Sequence, residues 1–310
     1  MKKINKNQIN LFDFFVDFKG FNSKYKYQNY LNKMFFSLSP KRTDIAAIKT
    51  TKPNNLLLSY SMWKEQKGMY KFDTFVESLW KDGYKPTIIL DSGAFTFSSK
   101  DIDISLDDYR EGIEDTYERE LSIEELAFDY IQGLFTGGVD MNVMDQDEML
   151  NYIVFIYQNS KYIDFVVSLD HFTDSNISMD NYKFLKGIGI KSIPTFHIGE
   201  DIKVLEEYIN LGADYIGLGG IVPFKLNGGK GVNSKISTWI NNILRNYPGL
   251  KFHLFGCQDP KILDNCLPSL YSSDGAGWII SAGNKYDREF GIDDKIRLAV
   301  MNIKYKECLG

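Results

Sequence analysis

Long apolar runs are missing from this chain. No stretch of about 18 consecutive apolar residues occurs, so no membrane-spanning helix is expected. The opening MKKINKNQINLFDFF has lysines but neither a clean apolar centre nor a small-residue cleavage site, and does not read as a signal peptide. Cysteine is scarce: Cys257, Cys266 and Cys308 are widely spaced and odd in number, which fits reduced thiols in a cytoplasm. No pair has CxxC spacing, so no zinc or other metal site is expected, and no cofactor is called for. The GLGG at 217–220 lacks the order of a dinucleotide site, and Gly228-Gly229-Lys230-Gly231 lacks the Lys-Ser/Thr of a Walker loop. There is no internal repeat and no low-complexity linker.

A hydrophobic share of 44% over 310 residues is enough for a large core. The net charge of −5 is unevenly spread. Residues 1–72 hold 14 Lys and Arg against 4 Asp and Glu, roughly +10, and the remainder is roughly −15. In that basic quarter Lys24, Lys26, Lys33, Lys41, Arg42, Lys49 and Lys52 are interleaved with Phe21, Tyr25, Tyr27 and Tyr30. Such a mixture serves a solvated surface or a phosphate-and-base footprint equally well.

Residues 1–50 read as irregular or short-helical, and 1–53 as a basic, aromatic N-terminal extension. Leu56–Tyr60 and Thr87–Asp91 read as buried strands with a helix at Phe72–Lys81 between them. The acidic stretch 101–150 reads as an inserted set of helices. From there helices and strands alternate, with strands at Ile163–Leu169, Ser192–Phe196, Tyr215–Leu218, Phe252–Phe255 and Leu270–Ser273, and Gly or Pro at most junctions. Trp278–Ser281 is the weakest candidate and the eighth. This βα alternation predicts parallel strands with right-handed crossovers in a single α/β domain spanning 1–310, a (β/α)8 TIM-type barrel.

Barrel enzymes carry their functional side chains at the carboxyl ends of the strands. Those positions here hold Ser61, Asp91-Ser92, Asp170-His171, His197, Gly219-Gly220, Gly256-Cys257 and Asp274. An aspartate after a strand also serves as a turn or N-cap residue. Three at one barrel end would crowd their charges and shift one another's pKa, which points to a site built on Asp91, Asp170 and Asp274. His171 and His197, two of only three histidines, stand at the same end.

Asp91–Phe95 (DSGAF) resembles the DSGGF signature of the tRNA-guanine transglycosylase superfamily, and more closely the DSGAF form of its phage and bacterial DNA-modifying branch. LLLSYSMW, SLDHF (168–172), PTFHIGED (194–201), YIGLGGIVP (215–223), HLFGCQDP (253–260) and SSDGAGW (272–278) fall in the order that branch shows, over roughly residues 54–283. The resemblance implies exchange of guanine in DNA for a free 7-deazaguanine such as 7-cyano-7-deazaguanine. In that scheme Asp274 is the nucleophile and forms a covalent glycosyl intermediate. Asp91 handles the proton of the departing and incoming bases. Asp170 reads the donor edge of the base, and Ser92, Gly93, His171, His197, Gly219 and Gly220 line the base pocket. A duplex target would be flipped or opened first.

Ala94 replaces the second glycine of DSGGF, and Ala276-Gly277-Trp278 stands where Ser-Trp commonly follows the nucleophile. The CxCxxC…H zinc site of the tRNA enzymes has no counterpart, since only Cys308 follows Asp274. Without that zinc subdomain or a PUA-like extension, DNA is the expected polymer and tRNA the alternative. A barrel that binds nucleic acid or base without turnover is another. A carbohydrate hydrolase is disfavoured, because its Trp platforms are hard to build from four Trp, one of them (Trp80) in a helix. The expected setting is cytoplasmic, the host's cytoplasm if the chain is phage-encoded, with no membrane partner and with a homodimer left open.

Overall fold

The computed structural model describes residues 34–93, 146–171, 174–227, 229–284 and 292–309. Residues 1–33 of the extension, and 94–145 with most of the acidic insertion, lie outside them. Nine parallel strands form one sheet in the order β5-β4-β3-β2-β1-β9-β8-β7-β6. They are β1 (Met34–Leu38), β2 (Asn55–Ser59), β3 (Thr87–Asp91), β4 (Phe165–Val167), β5 (Ser192–Ile193), β6 (Thr195–His197), β7 (Tyr215–Gly219), β8 (Lys251–Leu254) and β9 (Ser272–Gly275). The two edges, β5 and β6, are halves of one extended run joined at Pro194. That run pairs with β4 through Val166↔Ser192 and with β7 through Phe196↔Leu218. The Pro194 carbonyl accepts from Gly217 N–H at 2.8 Å, bridging the break. The sheet is thereby nearly closed into a barrel of eight strand positions flanked by helices, the TIM-type architecture expected.

Two side-chain sets explain the closure. Phe35, Leu57, Ile89, Val167, Ile193 and Tyr215 pack together inside the barrel. Their chain neighbours Phe36, Leu56, Leu58, Ile88, Leu90 and Val166 join the larger core between strands and helices. A strand alternates its faces with period 2, so near-continuous apolar runs such as NLLLS and TIILD serve both layers. Phe72, Phe75, Val76 and Leu79 of the helix Phe72–Lys81 are buried at helical spacing, as the sequence predicts. Asp174, Asp201 and Asp259 each cap the helix that follows by accepting an N–H two residues on.

The strand count of eight is reached with a different membership. Met34–Leu38, inside the stretch expected to be irregular or short-helical, is a central strand between β2 and β9. Arg42–Thr51 is the helix after it. Trp278–Ser281, the expected eighth strand, lies within the helix Gly277–Asn284. Three apolar residues and a serine carry too little periodicity to separate the two states. The helix lets Trp278 bury completely and donate from Nε1 to the Ser37 carbonyl at 3.0 Å. No helix of the described residues is long and apolar enough to cross a membrane.

Candidate active site

Two residues beyond the inner apolar layer, the inward positions turn polar. Ser37 follows Phe35, Ser59 follows Leu57, Asp91 follows Ile89 and Thr195 follows Ile193. All four border a cavity of about 830 Å³ at the carboxyl ends of the strands, together with Asp170, His197 and Asp274. The structure thus brings the three expected aspartates to one cavity. Gly93 and Gly220 line it as well, whereas Ser92, His171 and Gly219 are not among its described walls.

Asp91 ends β3 and keeps part of its surface open. Burial, and then the charges of Asp170 and Asp274, push its carboxyl up to about 7, against the opposing hydrogen bonds from Ser59 and Gly93 N–H. The Gly93 amide reaches Oδ2 at 3.2 Å. It does so from φ +80°, in space where a Cβ would stand 2.1 Å from Ser61 Oγ and 2.6 Å from Ser59 Oγ. Only glycine fits that turn.

Asp170 pairs with His197 across the cavity wall, Oδ2 to Nε2 at 3.0 Å. Ser92, wholly buried, donates to its Oδ1 at 3.5 Å, the outer limit of a hydrogen bond. His197 Nδ1 faces Glu200 Oε1 at 3.3 Å, and Glu200 Oε2 accepts the His197 backbone N–H at 2.8 Å. Burial alone would lower the imidazole, but the bonds to Asp170 and Glu200 outweigh it and raise it to about 9. His197 is therefore a cation at neutral pH, held between two carboxylates. Gly219 packs against this ring: a Cβ there would stand 2.7 Å from both His197 Cδ2 and Thr195 Cγ2. Thr195 Oγ1 is buried without a hydrogen-bond partner among the described residues, so the cavity wall keeps a polar atom to satisfy. His171 is tied instead to the helix Ser175–Gly187, its N–H donating to Ser178 Oγ at 2.7 Å.

Asp274 lies within β9 and is 5% exposed. Oδ1 accepts from Gly256 N–H at 2.8 Å and faces His253 Nε2 at 3.2 Å, while Oδ2 accepts from Ser37 Oγ at 2.5 Å. Behind it, His253 Nδ1 faces Ser272 Oγ at 2.7 Å, and Ser272 Oγ meets the Tyr215 hydroxyl at 2.6 Å.

Ser37, Ser59, Glu200, His253 and Ser272 are site residues that the reading of motifs passed over. Ser37 belongs to the strand that was not foreseen. His253 stands in the HLFGCQDP motif and shares inward parity with Phe255. Glu200 follows His197 by three residues, close enough for a turn to bring them together.

The fold and the cavity together define a parallel α/β barrel with a carboxylate-lined pocket at the carboxyl ends of its strands. No protein-family model matches the chain, and no curated protein matches it.

Proposed function

We propose that this chain is a guanine transglycosylase that exchanges guanine in DNA for a 7-deazaguanine base. The supporting observation is the contrast between two carboxylates in one cavity. Asp91 is pushed up to about 7 and so holds a proton near neutrality. Asp274 has a donor on each oxygen, Gly256 N–H on Oδ1 and Ser37 Oγ on Oδ2, which fix its carboxyl group in place. Paired carboxyl groups in unlike environments divide acid and nucleophile between them. The motif order around DSGAF supplies the choice of base and polymer.

In this reading Asp274 attacks the anomeric carbon as the bond to guanine N9 breaks, and the bonding pair leaves with the base. Asp91, protonated, gives its proton to the departing guanine. The incoming 7-deazaguanine then transfers its N9 proton to Asp91 and attacks the same carbon, displacing the Asp274 carboxylate. Two inversions give net retention. Asp170 accepts N–H groups of the base, and its partner His197, with both ring nitrogens bound to carboxylates, holds it in place. A cavity of about 830 Å³ accommodates a nucleoside-sized ligand.

The test is incubation with duplex DNA, single-stranded DNA or tRNA plus 7-cyano-7-deazaguanine, followed by nucleoside mass spectrometry. A modified deoxynucleoside is expected. Modification of tRNA alone would move the substrate to RNA, and labelled guanine retained in every polymer would refute the exchange reaction.

A further inference from the structure

His253 does not line the cavity, yet it touches the one carboxylate that the proposed reaction uses as nucleophile. The ring is fully buried and caged edge-on by Phe35, Tyr215 and Phe255, with centroids 5.7, 6.3 and 4.6 Å away. Its two nitrogens face opposite ways, Nε2 to Asp274 Oδ1 at 3.2 Å and Nδ1 to Ser272 Oγ at 2.7 Å. Ser272 Oγ in turn lies 2.6 Å from the Tyr215 hydroxyl.

The donor count decides how this chain runs. From Tyr215 inward every hydrogen finds an acceptor: Tyr215 O–H to Ser272, Ser272 O–H to Nδ1, and Nε2–H to Asp274. In the opposite sense the ring must carry two protons, Ser272 donates to Tyr215, and the phenol proton has no acceptor, because its other neighbour, His253 Nδ1 at 3.4 Å, is then itself a donor. Burial pushes the Tyr215 hydroxyl above its ordinary value, which keeps it a donor.

We propose that His253 is a positioning residue for Asp274, fixed as the Nε2–H tautomer by a buried relay from Tyr215 through Ser272. Together with Gly256 N–H it holds Oδ1, so that Oδ2, which carries the single bond from Ser37, is the oxygen that attacks. The proposal rests on the transglycosylase reading for that last step, while the relay itself does not. Misplacing a nucleophile by about 1 Å costs on the order of 100-fold in rate.

The experiment combines long-range ¹H–¹⁵N NMR of the histidine rings in the full chain with exchange kinetics of His253→Gln, His253→Phe and Ser272→Ala. The wild type should show an Nε2–H ring for His253 whose signal shifts in Asp274→Asn, and Ser272→Ala, which leaves Nδ1 only the Tyr215 hydroxyl at 3.4 Å, should weaken that tautomer preference. A side-chain amide replaces the Nε2 donor, whereas a phenyl ring replaces only the packing. His253→Gln is therefore expected to keep a higher kcat than His253→Phe, which should fall about 100-fold with little change in KM. An Nδ1–H or doubly protonated ring in the wild type would overturn the proposal, as would a Phe variant at least as active as the Gln variant. If the wild type exchanges no base, the transglycosylase reading fails. The NMR result then still decides the relay: an Nε2–H signal moved by Asp274→Asn upholds it, and its absence overturns it.

Discussion

Nε2 of His197 stands 3.0 Å from Oδ2 of Asp170, inside a wall where both side chains are nearly buried. A charged imidazole in that position serves the carboxylate more than the solvent, and it makes the site sensitive to alkaline pH.

The folded state raises His197 from 6.5 to about 9. A raised histidine contributes stability that is complete below about 6.5 and is lost as pH climbs through about 9. The shift corresponds to a ceiling of about 3 kcal/mol. Melting temperatures of wild type and His197→Gln should therefore differ most near pH 6, by roughly 5 °C or more, and converge above pH 9. Parallel curves across that range would show that His197 does not titrate as described.

Asp91 has the opposite consequence. Its unfolded carboxyl ionises near 3.8 and its folded one at about 7, so the unfolded state sheds the proton first. Stability is lost as pH rises from about 4 to 7, with a ceiling of about 4 kcal/mol. Asp91→Asn should melt higher than wild type at pH 8 while losing between about 10²- and 10⁴-fold in exchange rate. For wild type, release of guanine in the first half-reaction should fall as pH rises above about 7. An unchanged rate from pH 6 to 9 would remove Asp91 as the acid.

Gly219 is a packing requirement of the ion pair. Gly219→Ala places a methyl 2.7 Å from His197 Cδ2 and from Thr195 Cγ2, and should destabilise the protein by about 1–3 kcal/mol, as overpacking does. Replacing His197 by Ala in the same chain should return part of that loss. A denaturant series on the two single variants and the double checks it, and strict additivity would contradict the contact.

The barrel was legible because its strands are short apolar runs bounded by Gly, Pro and Asp. Thr87–Asp91 and the helix Phe72–Lys81 were placed to the residue. Met34–Leu38 was hidden by its setting, four apolar residues and a serine within a basic, aromatic-rich segment. Trp278–Ser281 misled because apolar content without period does not separate a buried strand from a buried helix. Position along a strand was enough to put Asp91, Asp170, His197 and Asp274 at one cavity. Ser92, His171 and Gly219 share those strand ends but are not among the residues that line the cavity. His253 and Ser272 needed the cross-strand register, in which they are partners, and register is not written in one strand's sequence.

In the proposed reaction Asp274 becomes covalently joined to the target nucleotide. Stopping the reaction after guanine release, before a second base is supplied, and mapping the protein by peptide mass spectrometry tests it directly. One added nucleotide mass is expected on the peptide containing Asp274, absent in Asp274→Asn. Base exchange that proceeds with no adduct, or with the adduct on Asp91, would contradict it.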